Sequence, residues 1–178
     1  MRMGMLSGNP RLAACLSKVA TRGGWVGGTQ GAGQGLACYS ALDGHIAVLA
    51  EARMDEQQRV RVSRLVAVAD VGRMINPEIA LQQVEGGLLH GMALASIAPF
   101  GPKSGRLAPD SVGALNWPRL ADMPDISVEI VSSAERPGPI GDIGLPAVAP
   151  AIANAIAAGS GQRLRILSLG GAWWIVWR

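Results

Sequence analysis

The clearest pattern in the chain is "HIAVLAEARMDEQQRVRVSRLVAVAD". Apolar residues alternate through two runs, about residues 45–54 and 59–70, on either side of the polar stretch "DEQQ". A period of two with a polar break predicts a β-hairpin. "ISVEIVS", residues 126–132, alternates in the same way and predicts another strand. Helix signals punctuate the rest. In "NPRLAACLSKVATRGGW", Asn9 is a good N-cap, Pro10 suits the first turn, and Gly23-Gly24 stop the helix. "NPEIALQQVEGGLLHGMALASI" opens likewise, with Asn76 as cap, Pro77 in the first turn and Glu78 favourable at the positive end. A third helix is predicted over Pro146–Ala158, stopped by Gly159 and Gly161. From Pro99 to Pro124 the chain reads as loop, and "QRLRILSL" (162–169) reads as a last short strand. Helices and strands mix without strict βαβ alternation, and no internal repeat is visible. The predicted class is therefore α+β, a mixed sheet with a β-hairpin and packed helices.

Composition narrows the function. Hydrophobic residues make up 49% of the 178 and charged ones only 16%, enough for the core of one domain and too apolar for a disordered chain. Aromatics are 4% and glycines number 24, so Ala, Val, Leu and Ile build the core, with close backbone approaches. The net charge of +3 permits contact with an anion, but the basic residues are scattered with no run and no aromatic interleaving, which argues against nucleic acid as a partner. Cys15 and Cys38 lie in no CxxC and at no ligand spacing from a histidine, so they read as small core residues, and this chain holds no iron–sulfur cluster by itself. The opening "MRMGMLSGNPRL" lacks a secretory apolar stretch, and no apolar run of membrane-spanning length occurs; the cytoplasm is the expected compartment.

Four features are candidates for chemistry. "GGTQGAGQG" looks like a phosphate-cradling loop, but it follows a helix and opens a strand, the reverse of a dinucleotide fingerprint, and so reads as a connector. His45, at the mouth of a strand, reads as a surface or hydrogen-bonded residue rather than a ligand. Gly86, Gly87 and Gly91 each cost a helix roughly 1 kcal/mol relative to alanine. Such a patch is tolerated where another backbone or a ligand must come close, and the pattern leaves both open. Last, "PGPIGDIGLPAVAPAIANAI" (137–156) holds one carboxylate, Asp142, between glycines and prolines. A stiff turn aiming one acid at something fits this spacing; so does a cap for the helix that follows.

Taken together, these blocks resemble one family. "VADVGRMINPEIALQQVEGGLLHGMALA", then "PGPIGDIGLPAVAPAIANAI" and "SGQRLRILSL", are similar in order and separation to the C-terminal part of the large subunit of the xanthine dehydrogenase and aldehyde oxidase family of molybdenum hydroxylases. The nearest branch is the bacterial one named for isoquinoline 1-oxidoreductase, beta subunit, and the resemblance covers roughly residues 9–169. It implies the C-terminal part of a molybdopterin-binding domain over residues 1–169, with 170–178, "GGAWWIVWR", as an apolar tail outside the family pattern. It also implies a hydroxylase of N-heterocycles or aldehydes, in which molybdenum on a pterin dithiolene, in bacteria as the cytosine dinucleotide, inserts a water-derived oxygen at an electron-poor carbon. A glutamate serves as general base. The implied partners are a small [2Fe-2S] subunit, a small-molecule substrate, and the N-terminal portion of the large subunit if that is separately encoded; assembly with an exported partner would place the chain in the periplasm.

The resemblance assigns residues one by one. The glutamine opening Gln-Val-Glu-Gly, here Gln83, touches the cofactor, with Gly86 and Gly87 giving a helix room to approach it. The catalytic glutamate falls on Asp142, and no metal ligand falls within the chain. Two departures matter. Asp142 is one methylene shorter than the family's glutamate, and the family subunit is several times longer than this chain. The alternative is therefore a non-catalytic truncated remnant or binding module that keeps the fold.

Overall fold

The computed structural model describes residues 2–27, 33–56, 59–96 and 117–165, with Gly31 and short pieces between 101 and 115. "DEQQ" is covered only at Asp55 and Glu56, "GGTQGAGQG" only in part, and residues 166–178 lie outside the described residues. A first short helix, α1 (Arg2–Met5), leads into α2 (Pro10–Gly23). The α2 ends follow the sequence expectation. Leu12 N–H donates to Asn9 Oδ1 at 3.0 Å, Pro10 occupies the first turn, and Gly24 closes the helix through bonds to the Ala20 and Thr21 carbonyls.

Three strands follow: β1 (Gln34–Ala41), β2 (Gly44–Met54) and β3 (Val60–Asp70). β2 and β3 form the expected hairpin, closed by an Asp55 N–H bond to the Arg59 carbonyl at 2.9 Å. β1 is the strand that "GGTQGAGQG" opens, and it pairs antiparallel with β2 from Gln34↔Glu51 to Ala41↔Gly44. Next come α3 (Pro77–Ser96), the short strands β4 (Gly101–Lys103) and β5 (Arg106–Ala108), a 3-10 turn at Leu120–Asp122, β6 (Asp125–Ile130) and α4 (Val148–Ser160).

β6 lies parallel to β3, from Arg64↔Asp125 to Ala69↔Ile130, so the main sheet is mixed, ordered β1-β2-β3-β6. The connection from β3 to β6 carries α3, as a parallel pair requires. Two expectations need correction. Part of the stretch read as loop, 99–124, forms a two-stranded antiparallel ribbon and a 3-10 turn. The last strand, expected at 162–169, is not present over 162–165; the remainder lies outside the described residues.

Helices cover both faces of the sheet, which explains why β2 and β3 are nearly continuous apolar runs. On one face, Ala47, Leu49, Val66 and Val68 pack under Cys15, Leu16 and Val19 of α2. On the other, Ile46, Val48, Ala50, Leu65, Ala67 and Ala69 meet Val84, Leu88 and Met92 of α3 and Ala151, Ile152 and Ala155 of α4. Cys15 is fully buried, and burial pushes its thiol up to about 12, so it behaves as a small core residue. Lys18 and Arg22 on α2 reach Glu129 of β6 at 3.2 and 3.4 Å; these exposed pairs steer side chains more than they stabilise.

Candidate functional site

The residues that the family resemblance assigns come from two places, α3 and the loop between β6 and α4. α3 starts where expected, with Ile79 N–H donating to Asn76 Oδ1 at 3.1 Å. Its inner face is apolar and buried, through Val84, Leu88 and Met92. Gln83, Gly86 and His90 fall at i, i+3 and i+7, so they share the opposite, exposed stripe. His90 meets the Trp117 ring edge-to-face at 5.7 Å, which sets an aromatic pair at the end of that stripe.

The structure divides the glycine patch. A Cβ at Gly91 would lie 2.5 Å from the Leu145 carbonyl, and one at Gly87 would lie 3.3 Å from Gly144 Cα. Those two glycines let α3 pack backbone to backbone against the 141–145 turn. Gly86 differs: among the described residues, nothing outside its own helix backbone lies within 4 Å of where its Cβ would be.

That packing brings the two assigned residues together. A Cβ on Gly141 would lie 3.9 Å from Gln83 Oε1, so the glutamine side chain stands beside the residue preceding Asp142. Asp142 is exposed, while Ile143 next to it is buried in the main core. Neither the Asp142 carboxylate nor the Gln83 amide has a hydrogen-bond or ion-pair partner among the described residues. Asp142 does not cap α4 either. That helix begins at Val148, and its cap position, Ala147, provides no side-chain bond.

The Asp-Val-Gly motif has a structural explanation. Asp70, at the end of β3, takes the Arg11 guanidinium on both oxygens, Nε to Oδ2 at 2.9 Å and Nη2 to Oδ1 at 2.5 Å. It also accepts the Gly72 N–H at 3.1 Å. Chiefly through its bond with Arg11, the Asp70 carboxyl is held below its ordinary range, and the Arg11 guanidinium is raised in turn. Gly72 has φ +73, and a Cβ there would lie 2.0 Å from the Arg136 carbonyl oxygen, so only glycine fits.

His45 belongs to a separate network. Asn9 Oδ1 is taken by Leu12 N–H, so the Asn9 amide nitrogen faces the imidazole and donates to Nδ1 at 3.3 Å. Ser40 Oγ lies 2.5 Å from the same nitrogen and also accepts from the Asn9 amide at 3.3 Å, so the three side chains close one small network. Burial, then the Arg11 charge, lowers the His45 pKa from 6.5. A base with a lowered folded pKa binds fewer protons when folded, so stability falls as pH drops below about 6.5 and levels off below the folded value. A thermal-midpoint series from pH 7.5 to pH 5 is expected to show that fall, with a shallower slope in His45→Gln; equal slopes would remove His45 from the account.

Sequence reasoning did not single out His90 or Arg11. His90 was detectable as the i+7 neighbour of Gln83. Arg11 gave no local signal, because its partner lies 59 residues away.

Among the described residues no group of three or more His, Cys, Asp or Glu could hold a metal ion, so a metal placed here would need ligands from elsewhere. The fold matches part of several solved oxidoreductases. Quinoline 2-oxidoreductase from Pseudomonas putida 86 superposes with a TM-score of 0.61 at 20% identity, over 71% of this chain and 17% of that one. In sequence, the chain is 30% identical over 173 residues to isoquinoline 1-oxidoreductase subunit beta of Brevundimonas diminuta, covering 94% of this chain and 22% of the relative. It is 32% identical over 114 residues to the aldehyde oxidoreductase molybdenum-binding subunit PaoC of Escherichia coli, covering 60% and 16%. Residues 22–124 match the molybdopterin cofactor-binding domain family. The chain belongs to that family, the cofactor-binding domain of the molybdenum hydroxylases related to xanthine dehydrogenase and aldehyde oxidase. It spans about a fifth of the length of the isoquinoline 1-oxidoreductase relative. The match takes in Gln83, Gly86 and Gly87; Asp142 lies beyond it. No helix among the described residues is long and apolar enough to cross a membrane.

Proposed function

We propose that this chain is the C-terminal portion of a molybdenum hydroxylase large subunit and contributes one wall of its cofactor and substrate site. The observation that carries this reading is the meeting of Gln83 with the Gly141-Asp142 turn on an open side of the molecule. In this reading residues 1–169 form the family body and 170–178 extend beyond it. The cofactor in its cytosine dinucleotide form, the [2Fe-2S] subunit and a separately encoded N-terminal portion follow from the resemblance to the bacterial branch.

The residues present fit a bulky pterin group. Gly86 leaves open space on the α3 stripe, and the Gln83 amide and Asp142 carboxylate are both exposed and unengaged by the described residues. When bound, such a cofactor supplies the redox chemistry of oxygen insertion. This chain's part is binding and proton transfer. Gln83 Nε2 would offer a hydrogen-bond donor to the cofactor, and the Asp142 carboxylate would serve as the proton acceptor beside it. Ile143 and Gly144, packed against α3, hold that carboxylate at the rim.

Co-expression with the neighbouring reading frames, purification by a tag on this chain, and molybdenum quantification test the proposal. Near-stoichiometric metal with co-purifying subunits is the expected result, for either an N-heterocycle or an aldehyde substrate. A chain that purifies without metal or partner would instead be a non-catalytic remnant.

A further inference from the structure

Asp142 sits in a loop with little regular structure, so something must fix where it points. On its downstream side the answer is packing. Ile143 is buried, and a Cβ at Gly144 would lie 2.8 Å from the Val84 carbonyl oxygen and 3.0 Å from Leu88 N, both on α3. On its upstream side the loop is laid along residues 69–73. Val131 N–H bonds to the Ala69 carbonyl at 2.8 Å, Arg73 N–H to the Glu135 carbonyl at 2.9 Å, and Gly138 N–H to the Val71 carbonyl at 2.8 Å. Gly72 presses against the Arg136 carbonyl, and Gly138 against Asp43 at the β1–β2 turn.

The shape of this template depends on one side chain. Asp70 holds the turn by accepting the Gly72 N–H, and both Asp70 oxygens are occupied by Arg11. Arg11 projects from the first turn of α2, whose start is fixed by the Asn9 cap. The Asp70 side chain is 8% exposed, and that of Arg11 is 23% exposed. Removing the guanidinium would leave a buried carboxylate short of its strongest donor, free to turn away from Gly72 N–H towards water.

We infer that Arg11 is a positioning residue for Asp142. Its two-pronged bond to Asp70 holds the 70–73 turn, the turn aligns residues 135–138, and that alignment aims the acid four residues on. The catalytic meaning of this arrangement rests on the function proposed above, whereas the coupling of Arg11 to the loop does not.

Amide hydrogen exchange on the full-length chain reads the coupling directly. In Arg11→Met, peptides spanning 70–74 and 134–145 should exchange roughly tenfold faster or more, while β1 and α4 keep their rates. Arg11→Lys keeps the charge but not the fork, and should fall between the two; if Arg11→Met does not fold, this variant carries the comparison. In a metal-loaded assembly, Arg11→Lys should lower kcat by roughly tenfold or more with KM and molybdenum content unchanged, a split that general loosening of the fold would not give. Unchanged exchange in 134–145, or equal acceleration in β1, α4 and the loop, would overturn the inference. Local loosening in an assembly that never turns over would support positioning and count against the catalytic reading of Asp142.

Discussion

Gly35→Val is expected to destabilise the fold more than any other single substitution named here. A Cβ on Gly35 would lie 2.1 Å from the Ala151 carbonyl oxygen and 2.2 Å from Ala155 N. Both atoms are backbone of α4, so no rotamer change relieves the clash. The helix must move off the sheet, and with it Ala151, Ile152 and Ala155, all fully buried on β1 and β2. Overpacking ordinarily costs about 1–3 kcal/mol, and a double backbone collision belongs at or above the top of that range. Against the ~5–15 kcal/mol that holds a typical domain together, such a loss removes a large share of the stability. Urea unfolding followed by far-ultraviolet circular dichroism should show the transition lost or its midpoint sharply lowered. A Gly35→Val chain that unfolds at the parent midpoint would mean α4 does not lie on β1 as described.

Gly35 also marks where the sequence ceases to be informative. Local signals are legible: the Asn9 cap and glycine stop of α2, the Asn76 start of α3 and the β2–β3 hairpin depend on neighbours within a few residues. In "GAGQG", nothing separates Gly35 from connector glycines, because its role is set by a helix more than a hundred residues later. The parallel pairing of β3 with β6 and the Arg11–Asp70 ion pair likewise depend on partners far along the chain, Arg64 with Asp125 and Arg11 with a residue 59 positions on.

The site shows the same division. The family motifs pointed to Gln83 and Asp142, and the fold sets Gln83 beside the Gly141-Asp142 turn. Periodicity could not say which glycines of α3 serve packing. That required knowing that the 141–145 turn lies on the helix, which assigns Gly87 and Gly91 to packing and leaves Gly86 open.

Asp142→Asn should produce the largest functional loss in an assembled, molybdenum-loaded enzyme. The amide keeps the size and much of the polarity of the acid but cannot act as a base near neutral pH. General-base assistance typically contributes about 10²–10⁴ in rate, so kcat should fall by roughly that factor. Metal content should hold, because the substitution leaves untouched Gln83 and the α3 stripe, the proposed cofactor contacts. The matching gain is expected from Asp142→Glu. The loop is fixed upstream by the 69–73 backbone and downstream by Ile143 and Gly144, so it cannot slide forward to make up the missing methylene. A misplacement near 1 Å can cost about a hundredfold, and restoring the longer acid should recover part of that. Single-turnover rates with isoquinoline and with an aldehyde, normalised to bound molybdenum, separate the outcomes. A slow Asn variant beside a faster Glu variant makes Asp142 a working but shortened base. An Asn variant as fast as the parent would move the proton transfer to another residue, and the acid in the stiff loop would then record only the family's pattern.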